Sequence, residues 1–134
     1  MQSDFDEFFL VIPNYDGKSL LSRMLASVDC PRNRILVVDI ESKDGSAEFA
    51  ADSGCHVITL TRPSSFCRAA NAGIRWALER NAKYIGLSNN DVTFATPVIG
   101  PLIETLRQES RLGIVAPTQI VAKRDPPHWG APLR

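Results

Sequence analysis

The chain has 134 residues, 44% of them apolar and 22% charged, with 15 basic against 15 acidic side chains. That is one domain's worth of core at ordinary globular composition. A zero net charge with no basic stripe argues against a nucleic-acid partner, and no stretch nears the roughly 18 apolar residues of a membrane span.

The start, Met1-Gln2-Ser3-Asp4-Phe5-Asp6-Glu7, is acidic and polar, unlike a secretory signal. Cys30, Cys55 and Cys67 fit no zinc spacing, and they read as buried or half-buried thiols in a reducing compartment. A cytoplasmic protein is the expectation.

Residues 8–12 form a short apolar run stopped by Pro13, which reads as a buried strand. Leu20, Leu21, Met24, Leu25 and Val28 then share one helical face, closed by Pro31. Residues 35–38 are a second buried strand running into Asp39. A helix with Asp44 or Ser46 as its cap extends to about Ser53, where Gly54 stops it. Residues 57–60 make a third strand. Phe66 to Arg80 is the strongest helix, with Ala69, Ala70, Gly73, Ile74, Ala77 and Leu78 on one side. Residues 83–88 form a fourth strand that leads into Asn89-Asn90-Asp91. Pro97 suits a first helical turn, followed by a face of Val98, Ile99, Leu102, Ile103 and Leu106. Residues 112–116 read as a fifth strand, and the proline-rich tail reads as loop. Strand and helix alternate throughout. The fold class expected is therefore α/β: a Rossmann-like, mostly parallel sheet with helices on both faces, in a single domain spanning 1–134.

Ligands of open α/β sheets bind beyond the carboxyl ends of the strands. The loops there carry Asn14-Tyr15-Asp16-Gly17, Asp39 to Asp44, Thr61 to Ser65, and Asn89-Asn90-Asp91. Asp39 is placed to accept from a ribose hydroxyl or a base N–H, but a loop or capping carboxylate would sit there too. Asp91 with two amides offers oxygens suited to Mg²⁺ or Mn²⁺, completed by ligand diphosphate; a turn bonding its own backbone is the bland equivalent. A dinucleotide fingerprint fails because the first turn holds only Gly17. A P-loop fails because Ile12 stands where its first glycine belongs. His56 and His128 are remote in sequence from any plausible nucleophile. Trp76 reads as helix packing, and Trp129 is open to either reading.

In order, the loops form a recognisable series. Val11-Ile12-Pro13-Asn14-Tyr15-Asp16-Gly17, Val37-Val38-Asp39 with Asp44-Gly45-Ser46, Phe66 with Asn71-Ala72-Gly73, Asn89-Asn90-Asp91-Val92, and Arg111-Leu112-Gly113-Ile114-Val115-Ala116-Pro117 resemble the inverting, GT-A-fold glycosyltransferases of family 2. The resemblance runs from about residue 8 to 120, leaving 121–134 as an irregular tail. It implies a donor site for a nucleoside-diphosphate sugar built from Pro13, Asn14, Tyr15, Asp16, Asp39, Glu41, Arg68, Asn71, Asn89 and Asn90. Asp39 and Asp16 would lie at the base, Asn89 and Asn90 at ribose or diphosphate, and Arg68 at the diphosphate. Asp91 would ligate a divalent metal, Mg²⁺ or Mn²⁺. Two departures touch this pocket: Ile40-Glu41 replaces the family's Asn-Gly, and Pro63 and Ser65 replace Asn and Gly before Phe66. The family's acceptor side and catalytic base belong to a second half, so the expectation is a truncated GT-A unit with its base unassigned. The alternative is a non-catalytic remnant serving as a nucleotide-binding or oligomerising module. A homo-oligomer would then cover the open edge.

Overall fold

A computed structural model describes residues 5–120. The elements in order are β1 (Phe8–Asn14), α1 (Lys18–Ser27), a 3-10 turn (Arg32–Arg34), β2 (Ile35–Asp39), α2 (Ser46–Asp52), β3 (His56–Thr59), α3 (Phe66–Leu78), β4 (Tyr84–Leu87) and α4 (Ile99–Gln108). The tail assigned to loop, with His128 and Trp129, lies outside the described residues.

All strand pairs are parallel, in the order β3-β2-β1-β4. Every residue of β1 and β2 is buried, as their unbroken apolar runs demand. The edge strands β3 and β4 are only half covered. Strand order moves outward from β1 to β3, and the long α3 crossover then returns the chain to the far side of β1. The reversal at β1 sets α3 on the face opposite α1, α2 and α4.

Each face has its own core. On one, Leu10, Ile12, Ile35 and Val37 meet Leu21, Met24 and Leu25 of α1, Ala50 of α2, and Ile99 and Ile103 of α4. On the other, Val11, Leu36 and Val38 meet Ala69 of α3. The sheet-facing side of α3 is small: Ala69, Ala70, Gly73 and Ala77. This lets the helix come so close that a Cβ on Gly73 would stand 2.2 Å from Val11 Cγ1. Trp76 packs as the sequence suggests, edge-on to Phe9 with ring centroids 5.1 Å apart.

Four expectations need correction. Residues 112–116 form no strand; Leu112 and Ile114 are exposed, and a backbone bond from Leu112 N–H to Glu109 O holds the segment in a local turn. An apolar run of this length shows hydrophobicity but does not name its pairing partner, and β4 receives none on its outer side among the described residues. Leu78 ends α3 exposed instead of packed. Cys67 is exposed, unlike the buried Cys30 and Cys55. Finally, α4 begins at Ile99, two residues after Pro97.

Candidate functional site

The carboxyl ends of β1 and β2 lie in register, so Asn14 and Asp39 face each other as a pair. Both are buried, at 2% and 1% exposure, and a buried carboxylate requires donors. Asp39 has three: its Oδ1 accepts from Asn14 Nδ2 at 3.0 Å and from the Ser42 hydroxyl at 2.6 Å, and its Oδ2 accepts from Ser42 N–H at 2.8 Å. Asn14 Oδ1 in turn accepts from Asn90 Nδ2 at 2.8 Å. Asn90 follows β4, so this side-chain chain ties together the ends of the three strands β4, β1 and β2. Gly17 is required beside it, because a Cβ there would lie 2.2 Å from Asn90 Nδ2 and 2.8 Å from Asn14 Oδ1.

The loop after β2 is fixed from several sides. Asp16 N–H donates to Ser42 Oγ at 2.9 Å, and Lys43 N–H donates to Asp16 Oδ1 at 2.7 Å. Asp44 accepts from Lys18 N–H at 2.8 Å, at the start of α1, and from Ser46 N–H at 3.0 Å, at the start of α2; the Ser46 hydroxyl also donates to it. Hydrogen bonding from the Ser46 side chain, foremost, and from the two backbone donors holds the Asp44 carboxyl below its ordinary pKa. The cap position itself belongs to Gly45, at φ +81°, and to neither Asp44 nor Ser46 as expected; Asp44 stands one residue before it, and Ser46 opens the helix.

Two side chains beside the site sit in left-handed backbone: Asp16 at φ +42° and Glu41 at φ +48°. Asp tolerates that region, whereas Glu does so less readily. Glu41 stands where the family's Asn-Gly loop has glycine, so the loop keeps a glycine-type conformation without the glycine.

Above this floor lies a cavity of about 890 Å³ at the carboxyl edge of the sheet, where strand order reverses. The end of β1 contributes Pro13, Asn14 and Tyr15; the segment after β4 contributes Asn89, Asn90 and Asp91. The loop after β3 closes a third side with Arg62, Pro63, Ser64 and Ser65, next to Phe66 of α3. The exit of the β4 loop is pinned to the end of α1 and the turn after it: Ser27 Oγ accepts from Phe94 N–H at 3.1 Å, and Asp29 Oδ1 accepts from Val98 N–H at 3.1 Å, at the entrance of α4.

The residues singled out in the sequence therefore separate into groups. Pro13, Asn14, Tyr15, Asn89, Asn90 and Asp91 share the cavity wall. Asp39 lies beneath it, and Asp16 and Glu41 flank the Arg62 side. Arg68 and Asn71 open instead onto a smaller groove of about 290 Å³ with Leu60, Ala72 and Arg75. Arg68 is turned back to Pro63 O at 3.2 Å. Sequence reasoning passed over Arg62, whose guanidinium lies 4.1 Å from the Tyr15 ring centroid. It also passed over Ser42, whose hydroxyl and N–H complete the Asp39 carboxylate. The only sequence signal for Arg62 is its position after a strand end.

No group of three or more His, Cys, Asp or Glu side chains converges on one point among the described residues. Asp91 and its neighbouring amides suit a hard cation shared with ligand oxygens, and do not form a closed protein cage.

This is a parallel α/β domain whose ligand cavity is assembled from the loops at its carboxyl edge. The profile of Glycosyl transferase family 2 matches residues 9–133, nearly the whole chain, and the chain belongs to that family. Searches among curated proteins and among solved structures returned no match. No helix among the described residues is long and apolar enough to cross a membrane.

Proposed function

We propose that the cavity holds a nucleoside-diphosphate sugar, with a divalent cation, for transfer of its glycosyl group, of hexosyl type, to an acceptor hydroxyl. The observation that carries this reading is one cavity lined by both an aromatic ring, Tyr15, and a carboxylate, Asp91. Tyr15 is 49% exposed and offers a ring on which a planar base can stack once the Arg62 guanidinium over it moves aside. Asp91 lines the same cavity from the loop after the neighbouring strand β4. Mg²⁺ or Mn²⁺ bound there would supply charge neutralisation for the leaving diphosphate. Asn14 and Asn90, hydrogen-bonded to each other, tie together the two loops that carry Tyr15 and Asp91. Asp39 acts from below by holding Ser42, and through it the Asp16 backbone.

Calorimetric titration of UDP, GDP and dTDP, with and without Mn²⁺, tests the reading. At least one is expected to bind, more tightly with the metal. No heat from any of them, in a sample shown to be folded, overturns it.

A further inference from the structure

Arg62 carries an inference that rests on the donor-site reading and goes beyond it. Its side chain reaches back from the loop after β3 and sits over the Tyr15 ring, the guanidinium carbon 4.1 Å from the ring centroid. Its Nη2 stands 3.8 Å from Asp16 Oδ2, and its own backbone N–H donates to Glu41 Oε2 at 3.1 Å. Asp16 is itself fixed by Lys43 N–H at 2.7 Å. Arg62 is thus held by groups from both the β1 and the β2 loops.

A guanidinium is planar and stacks on aromatic faces, as a nucleobase does. Both Arg62 and Tyr15 line the main cavity. One face of the Tyr15 ring, within the cavity that both residues line, is therefore taken by the protein's own cation. A base can stack there only after the guanidinium leaves, and the guanidinium then loses its aromatic partner. A ligand carrying phosphates returns a partner to it, because the fork of Arg donors matches phosphate oxygens. A ligand without phosphates does not.

We propose that Arg62 is a specificity-determining gate: it excludes uncharged nucleosides from the Tyr15 face and yields to ligands whose diphosphate re-engages it. The sign of its contribution differs between the two ligands. Removing the guanidinium frees the ring for a nucleoside and removes a phosphate partner from a nucleoside diphosphate. A residue that merely shapes the loop would move both affinities the same way.

The test compares the best-bound of UDP, GDP and dTDP with its matching nucleoside, in metal-free buffer, on wild type and Arg62→Ala. NMR titration follows the weak ligand and calorimetry the tight one. Circular dichroism melting confirms that the variant folds, which the 41% exposure of the Arg62 side chain favours. Nucleoside affinity is expected to rise about two- to fivefold, the size of an exposed cation–π contact. Nucleoside diphosphate affinity is expected to fall about tenfold, as for a lost charge-assisted contact. Arg62→Lys, a point charge without the plane, should keep much of the diphosphate affinity while admitting the nucleoside more readily. If nucleoside binding does not tighten in Arg62→Ala, or both ligands shift the same way, the gate is refuted while the donor site stands. If wild type binds no nucleotide either in this buffer or with Mn²⁺ added, the donor-site reading fails first and takes the gate with it.

Discussion

Asp39→Ala is the sharpest probe of how the site is built. The carboxylate is 1% exposed and accepts three hydrogen bonds, from Ser42 N–H, the Ser42 hydroxyl and Asn14 Nδ2. Hydrogen bonds to a charged group contribute about 1.5–3 kcal/mol each, and a buried donor left alone costs about 1–3 kcal/mol. The three are not additive, because Asn14 Nδ2 also lies 3.4 Å from Ser42 Oγ and the two retain each other. The net loss works out at about 3–5 kcal/mol, a large part of the 5–15 kcal/mol that typically separates folded from unfolded chains. With a urea slope of about 1.5–2 kcal/mol/M, the unfolding midpoint should fall by about 2–3 M at unchanged slope. Asp39→Asn keeps the volume and an acceptor for Ser42 N–H but turns an NH₂ group toward that of Asn14. It should lose about half as much. Urea unfolding without any ligand measures both. A midpoint within about 0.5 M of wild type for Asp39→Ala would refute the scaffold role.

Four further outcomes follow from the same geometry. Gly73→Ala places a Cβ 2.2 Å from Val11 Cγ1; overpacking of this kind costs about 1–3 kcal/mol, so calorimetric Tm should drop by roughly 4–12 °C. Glu41 holds a left-handed conformation at φ +48° while accepting the Arg62 N–H. Glu41→Gly should therefore stay within about 1 kcal/mol of wild type, whereas β-branched Glu41→Val should lose about 1–2 kcal/mol in the same urea assay. Burial pushes the Cys30 thiol up from 9.0 to about 12. Its folded pKa is raised, so its contribution is complete below pH 9 and is lost as pH rises toward 12, when only the unfolded chain releases the proton. Stability should fall by up to about 1.4 kcal/mol per pH unit in that window, and Cys30→Ala should shallow the slope without abolishing it, because buried Cys55 is shifted the same way. Last, Asp91→Asn should keep the fold, since Asp91 is exposed, and remove the Mn²⁺-dependent part of nucleotide binding in calorimetry.

The parts of the fold legible in the sequence are those whose signal is local. The β1 and β2 runs are apolar without interruption because both of their faces are covered. The small face of α3 repeats at helical spacing because only small residues let the helix approach β1 and β2. The stop at Gly54 is legible because φ +89° there favours glycine. What stayed hidden depends on partners distant in sequence. Residues 112–116 have the composition of a strand, but composition does not say whether a sheet edge is adjacent. Asp39 announces a carboxylate at a strand end, but not that Ser42 and Asn14 turn it inward. Arg62 carries no local mark, and its ring partner Tyr15 lies on a different strand's loop.

The Asp39 network also explains why the motif series is so tightly ordered along the chain. Asn90, Asn14 and Asp39 come from three strands that are adjacent in space and far apart in sequence, and each amide or carboxylate satisfies the next. A polar chain of this kind is worth having only when complete, since a half-satisfied buried network is worse than an apolar one. Loss of Asn90 leaves an Asn14 oxygen without its donor, and loss of Asn14 strips Asp39 of one of its three. Gly17 belongs to the same unit, because any side chain there collides with the Asn14–Asn90 contact. The residues that make this sequence recognisable thus act largely through one another. They tie together the loops that carry Tyr15 and Asp91, the two exposed side chains on which the proposed donor site relies.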